Sequence, residues 1–271
     1  MDLHTTEWDV DGDGVATVRL HRPGRGNSWT GRMHTEYRWI FAQLEADPKV
    51  RVAVVTGTPP HFCVGADSGA LEHNKQRGSY DTGLGEGVPQ PGYGIRPEFD
   101  EDFVWQWGLR FPVIAAVNGA CAGAAMALMA FCDLRFGAAE AKLTTAAPKL
   151  GLPAELGLSW VLPRLVGVTA AADILLSGRT FTAADAPTGL FNEVVPGSDL
   201  AGLVEERARW IATQIGPHAV TTTKRQLYSE LLTTDPAASV ARSRQLIDEA
   251  MGTDEFKEGV AAFAERRPPR F

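Results

Sequence analysis

From Phe111 to Cys132 the chain carries no charged side chain, and the run is long enough to cross a bilayer. Pro112 and the Asn118-Gly119 pair interrupt it. The breaks leave a strand-like Val113-Ile-Ala-Ala-Val117, a turn, and a helix of small residues from Gly123 to Phe131. A wholly apolar strand feeding a wholly apolar helix has to be covered on both sides. The segment therefore predicts a buried strand–turn–helix in an α/β core and not a membrane span.

The flanking sequence repeats that order. Val15–Leu20 reads as a strand, and Ser28 or Thr30 can cap a helix reaching about Asp47. Met33, Tyr37, Ile40, Phe41 and Leu44 form its buried stripe. Val50–Thr56 is a β-branched inner strand, followed by a strand–loop unit from His61 to Asp67. Gly78–Gly94 is rich in Gly and Pro without a period, as expected of a lid or a disordered segment. Asp102–Arg110 reads as a helix, Asp133–Phe136 and Lys142–Thr145 as short strands, and Asn192–Val195 as another. Helices dominate from Val168, with spans at about 199–215, 217–232, 236–251 and 254–266. Two regions follow: an α/β core over 1–198 and a helical part over 199–271.

Composition narrows the function. A net charge of −7 and a pI near 5.4 argue against a nucleic-acid partner. Cys63, Cys121 and Cys132 lack a CxxC spacing and read as buried free thiols. With a polar N-terminus that is no signal peptide, they suggest a cytoplasmic protein. Asp9–Gly14 opens like a calcium loop, but Leu20 stands where a bidentate Glu is needed, so no metal site is expected. Gly157-Leu-Ser159-Trp-Val161 lacks the closing glycine of a nucleophile elbow, which leaves Ser159 a helix residue. Of the histidines only His61 adjoins a candidate site, and a structural role is expected for it. Trp29, Trp105, Trp107 and Trp160 fit either a large pocket or the core.

Two segments can carry chemistry together: Phe62-Cys-Val64-Gly65-Ala66-Asp67, and Asn118-Gly119-Ala-Cys-Ala-Gly123-Ala124-Ala125. Each is a strand entering a turn of small residues, where a ligand can approach the backbone. N–H groups at such a turn, or at a helix start, lack internal partners and can bind an anion. One from each turn could share a single oxyanion. Either segment alone would be explained by tight helix–sheet packing.

In this order and spacing the two segments resemble the enoyl-CoA hydratase/isomerase, or crotonase, family. Arg22–Ser28, Leu162–Gly167, Gly189–Val195 and Phe256–Phe263 extend the resemblance over nearly the whole chain, with the loop from about Gly69 to Arg96 as its weakest part. It implies a spiral of ββα units with a helical C-terminal region that forms trimers, or hexamers as dimers of trimers. It implies an acyl-CoA thioester as substrate, coenzyme A entering as part of the substrate, and no separate cofactor. The oxyanion donors would be the N–H groups of Ala66 and Ala124, with Val64, Gly65, Asp67 and Gly123 around the thioester. Arg25, Phe263 and Arg266 match positions near the coenzyme's adenine and phosphates, Arg25 and Arg266 otherwise being solvated.

The sequence departs from the hydratase pattern where water is activated. The two glutamates of a typical hydratase fall on Ala127 and Ala147. A positioned acid–base group contributes roughly 10²–10⁴-fold, so losing both disables the usual route. Glu155, among Pro, Ala, Leu and Gly, falls where other branches of the family carry a catalytic acid. Burial there would raise its pKa; the competing reading is a helix cap or a pair with Arg164. The expected activity is double-bond isomerisation or hydration of an enoyl-CoA through a thioester enolate. The alternatives are a catalytically idle CoA-thioester binder and, further off, a thioester or carbon–carbon hydrolase.

Overall fold

The computed structural model describes residues 1–85 and 87–271, so Glu86, inside the Gly78–Gly94 loop, lies outside the described residues. The chain opens with β1 (Thr6–Val10), antiparallel to β2 (Val15–Leu20). The sequence reading offers no strand at β1, because Glu7 and Asp9 on its outer face mask the inward Thr6, Trp8 and Val10. The Asp11 carboxylate builds the intervening turn, accepting the N–H groups of Asp13 and Val15.

A spiral follows, each turn made of a long strand, a short crossing segment and a helix. The first turn runs from β2 through Trp29 into α1 (Gly31–Ala46). The second runs from β3 (Val52–Gly57) through Cys63–Ala66 into α2 (Ser68–Arg77). The third is β4 (Val113–Val117), β5 (Cys121–Ala122) and α3 (Ala124–Ala130). The fourth is β6 (Leu134–Ala138), β7 (Lys142–Thr144) and α4 (Leu158–Ser177). Then come β8 (Phe181–Thr182), β9 (Glu193–Val195), α5 (Gly197–Gln214), α6 (Pro217–Glu230), α7 (Pro236–Met251) and α8 (Asp254–Glu265).

The long strands form one sheet in the order β1-β2-β3-β4-β6-β9, parallel from β2 onward. The crossing segments form a second ladder. Trp29 bridges Ala66, Cys63 bridges Cys121, β5 pairs with β7, and β7 with β8. This is the crotonase-like α/β spiral that the resemblance implies. α5 lies against the large sheet with Leu200, Val204, Ala208 and Ala212 buried, so residues 199–271 begin by completing the core of 1–198.

Thr30 caps α1, its hydroxyl accepting the Met33 N–H at 3.1 Å; such a cap contributes about 1 kcal/mol. The expected stripe Met33, Tyr37, Ile40, Phe41 and Leu44 is fully buried. Ser68–Arg77 is a helix where the sequence shows only a loop, because it buries no side chain and so has no apolar period; Asp67 caps it. The expected helix at 102–110 is instead a 3-10 turn over Val104–Gly108, preceded by Phe103 at φ +61°. Helical structure resumes at Leu158, earlier than expected, and α4 is broken at Gly167 (φ +76°, ψ +159°). That break divides a stretch otherwise apolar and long enough to span a membrane.

Described residues on both sides of Glu86 in the Gly78–Gly94 loop are held against the core. Gly83 packs backbone to backbone on Gly31, Gly92 on Gly108, and Arg38 donates to the Pro89 carbonyl at 2.9 Å.

Candidate active site

The two small-residue turns meet at a pair of glycines. Gly65 has φ +94°, and a Cβ there would stand 3.0 Å from the Ala122 carbonyl oxygen. Gly123, at φ +52° and ψ −122°, occupies a region closed to ordinary L-residues. A Cβ on it would lie 3.8 Å from the Gly65 Cα and 3.7 Å from Glu155 Oε2. Three segments distant in sequence thus converge on one spot.

Peptide planarity fixes where the backbone donors point. The Gly65 carbonyl accepts the Trp29 N–H at 2.7 Å. In a trans peptide the N–H of the next residue points the opposite way, so the Ala66 N–H faces away from Trp29. The Gly123 carbonyl accepts the Met126 N–H at 2.9 Å, inside the first turn of α3. The Ala124 N–H therefore points out of the helix start. Among the described residues neither N–H has an acceptor.

Glu155 stands on the turn before α4, where Leu156 (φ +49°) and Gly157 (φ +75°) reverse the chain. Its carboxylate has no hydrogen-bond or ion-pair partner among the described residues, and burial pushes its pKa up. It neither caps α4 nor pairs with Arg164. Arg164 lies 3.7 Å over the Trp160 ring and donates to the Trp160 carbonyl.

Ala127 and Ala147 are buried. Asp67 is occupied: its carboxylate accepts from Gly69 N–H, Ser28 and Arg22, and the Gly69 bond leads in holding it below the usual range. Among the described residues no three His, Cys, Asp or Glu side chains are grouped to hold a metal.

Arg25 is exposed beside Gly26, whose carbonyl accepts the Val64 N–H at 3.1 Å, so it borders the first turn. Phe263 is 87% exposed on α8 and Arg266 is exposed at its end. No hydrogen bond, ion pair or ring contact among the described residues brings either to the glycine pair. Phe263 instead lines a groove of about 340 Å³ with Phe256, Val260 and Phe271. Trp29, Trp105 and Trp107 belong to the core, and Trp160 packs on Trp107 at 5.7 Å. The His61 backbone carbonyl accepts from Asn27 at 2.8 Å, a contact that does not involve its imidazole.

Away from the glycine pair, Asp102 Oδ1 lies 3.4 Å from His34 Nε2 and 3.6 Å from Arg38 Nη1, a buried grouping that the sequence does not announce. His34 and Arg38 come from α1 and Asp102 from the segment before Val104, where no spacing announces proximity. His34, not His61, is the histidine whose ring lies against Trp29, at 5.6 Å.

Comparison with known proteins agrees with this architecture. The family model described as enoyl-CoA hydratase/isomerase matches residues 11–271. The 1,2-epoxyphenylacetyl-CoA isomerase of Escherichia coli is 34% identical over 95% of this chain and 95% of its own length. The mevalonyl-coenzyme A hydratase of Beauveria bassiana is 31% identical over 98% of this chain and 94% of its own. The crystal structure of enoyl-CoA hydratase from Bacillus anthracis superposes with a TM-score of 0.83 at 29% identity, covering 99% of both chains. The chain belongs to the enoyl-CoA hydratase/isomerase family.

Proposed function

We propose that this enzyme acts on an enoyl-CoA thioester through an enolate, and that its favoured reaction is double-bond isomerisation. The N–H groups of Ala66 and Ala124 hold the thioester oxygen as negative charge develops. Preorganised donors of this kind typically contribute 10²–10³-fold each. Glu155 removes the acidic C–H proton. The observation that carries the reading is Glu155 itself, unpaired, raised by burial, and reaching the Gly123 turn.

Isomerisation needs a proton moved and no water held, which suits a site with Ala127 and Ala147 in place of two glutamates. The name of the Escherichia coli relative, an isomerase, is in keeping with this. Hydration by one carboxylate is the less favoured reaction. Val64, Gly65 and Gly123 shape the thioester cradle, while Arg25, Phe263 and Arg266 are proposed for the nucleotide end of coenzyme A. A trimer or dimer of trimers in the cytoplasm, with residues 199–271 as the assembling region, completes the reading.

The test is Glu155→Gln assayed with 2-enoyl- and 3-enoyl-CoA thioesters. Turnover should vanish while thioester binding stays intact; a variant with full rate rejects the assignment. The second reading is an idle CoA-thioester binder, favoured by Ala124-Ala125 at a turn often formed by glycines in the family. Such a protein would bind thioesters and exchange no α-proton.

A further inference from the structure

The peptide unit that carries the Ala66 N–H is the last link of a hydrogen-bonded chain that starts at a charged side chain. Arg22 Nη1 donates to the Ser28 carbonyl at 2.7 Å. The N–H of that same Ser28–Trp29 peptide donates to the Gly65 carbonyl, also at 2.7 Å. The N–H of the Gly65–Ala66 peptide is the proposed oxyanion donor, and among the described residues it has no acceptor. In a trans peptide the carbonyl and the N–H point in opposite directions, so each unit accepts on one side and donates on the other. The order is guanidinium, peptide, peptide, ligand.

Each member of this chain is held in place. Trp29 is buried, its ring against Phe103 at 5.3 Å, His34 at 5.6 Å and Tyr37 at 5.7 Å. Its carbonyl accepts the Asp67 N–H at 2.9 Å, so Ala66 is fastened to Trp29 through the residues on both its sides. The Arg22 main chain is fixed by Asn27, whose side-chain oxygen accepts the Arg22 N–H at 2.9 Å. The Asn27 amide in turn donates to the Thr58 and His61 carbonyls, each at 2.8 Å. Arg22 Nη1 also meets Ser28 Oγ at 2.8 Å and Asp67 Oδ2 at 2.9 Å, and the Ser28 hydroxyl donates to the same carboxylate oxygen at 2.9 Å.

An ion pair alone does not require this geometry. Arginine and a carboxylate commonly meet through two parallel bonds. Here Asp67 takes a single contact, from the nitrogen that also serves the Ser28 carbonyl, and the two side chains are 20% and 19% exposed. The other Asp67 oxygen accepts the Gly69 N–H in the first turn of α2. Both oxygens of Asp67 are thus engaged within the protein, which makes Asp67 the fastener of the guanidinium. A charged donor at the head of such a chain polarises the groups behind it, by about 10–30% per bond. No comparable charge stands behind the other donor: the Gly123 carbonyl accepts the Met126 N–H, a neutral group of α3.

We propose that Arg22 is a positioning residue for the oxyanion site: acting through the Ser28–Trp29 and Gly65–Ala66 peptides, it aims and polarises the Ala66 N–H for the thioester oxygen. The proposal rests on the oxyanion reading above and adds the group behind one of its two donors. Arg22 itself touches neither the substrate nor the reacting atoms. Its influence is felt where negative charge collects on the thioester oxygen, in the enolate, and little in the neutral bound thioester. Interactions that strengthen only as charge develops raise the rate more than the affinity. Removing Arg22 should therefore slow enolate formation while leaving thioester binding close to its parent value.

The experiment uses butyryl-CoA labelled with carbon-13 at the thioester carbonyl, with the full-length enzyme, Arg22→Met, Arg22→Gln and Arg22→Lys. Exchange of the α-protons in deuterium oxide is followed by NMR, affinity by calorimetry, and the carbonyl stretch of the bound thioester by isotope-edited infrared spectroscopy. In the parent the stretch should fall below that of the free thioester. Arg22→Met should lose at least about 10-fold in exchange, keep affinity within about 3-fold, and move the stretch back toward the free value. Arg22→Gln, which keeps a donor without the charge, should move the same way by less, and it replaces Arg22→Met if that variant does not fold. Arg22→Lys, which keeps the charge, should recover part of both losses. A parent-like stretch in Arg22→Met, or in Arg22→Gln in its place, with exchange within about 3-fold of the parent overturns the proposal and leaves the oxyanion reading intact. Exchange lost together with affinity and melting temperature, with a parent-like stretch in the thioester that stays bound, makes Arg22 a structural anchor and also overturns it. A parent enzyme that neither shifts the stretch nor exchanges the α-protons rejects the oxyanion reading and this proposal with it.

Discussion

The Gly65 carbonyl accepts the Trp29 N–H at 2.7 Å, and that one bond turns the Ala66 N–H away from Trp29. Trp29 itself belongs to the preceding turn of the spiral, so the direction of a proposed catalytic donor is set by the stacking of successive turns. Gly65→Ala tests this dependence. The new methyl would sit 3.0 Å from a backbone oxygen at φ +94°, so the peptide has to shift. Turnover should fall by at least about 10-fold with a smaller loss of melting temperature, measured by steady-state kinetics and thermal unfolding on the same samples. Unchanged turnover would separate Gly65 geometry from the reaction.

Glu155 carries a trade between stability and activity. Its folded-state pKa is raised by burial, so the folded protein binds the proton more tightly than the unfolded chain. Keeping the carboxylate ionised therefore costs stability above its folded pKa, and the cost disappears as pH falls below the unfolded value. Glu155→Gln should melt higher than the parent at neutral pH, converge with it in acid, and be inactive throughout. In the parent the acid limb of kcat/KM should lie above the ordinary carboxylate range. A limb at the ordinary value would place the titrating group elsewhere.

Glu36 behaves in the opposite sense. Burial pushes its pKa up, but hydrogen bonds from Arg32, Thr5 and His4 prevail and hold it at about 2. The resulting stability is present above the unfolded carboxylate value and lost as pH falls through about 2. Glu36→Gln should lose roughly 2–3 kcal/mol at neutral pH by denaturant titration, and much less in strong acid. The N-terminal segment, tied to α1 through Thr5 and Thr6, should become protease-sensitive in the variant.

Much of this architecture is legible because burial leaves periods and punctuation in the sequence. The α1 stripe, the strand at Val113 and the helices from Pro217 onward can be read that way. α2 escapes because it buries nothing, and Asp102–Arg110 misleads because its aromatic residues suit a 3-10 turn as well as a helix. The glycine turns and Glu155 are recognisable as a set through family resemblance, since neither turn is persuasive alone. The pairing of Asp102 with His34 is invisible for a different reason. Asp102 and His34 meet across 68 positions of sequence at 3.4 Å, and Gly31 meets Gly83 backbone to backbone, contacts that no local pattern encodes.

Lys224 shows that the helical region is integral to the core. Its ammonium is buried, bonded to Asp133 at 2.7 Å and to the Phe111 carbonyl at 2.8 Å. Lys224→Met would leave the buried Asp133 carboxylate without its counter-ion, with the Val113 N–H at 2.6 Å still donating to it, costing about 3–5 kcal/mol in equilibrium unfolding. The double variant Lys224→Met, Asp133→Asn should recover part of that loss. No recovery would mean that packing, not charge, dominates at this junction.

The most direct test of the central claim is loss of the α-proton from a saturated thioester, butyryl-CoA, followed by NMR in deuterium oxide. The parent enzyme should wash deuterium into the α-carbon at a rate abolished by Glu155→Gln, with binding of the thioester unchanged. A parent that binds butyryl-CoA without exchanging its α-protons, or a Glu155→Gln enzyme that exchanges them as fast, would contradict the account.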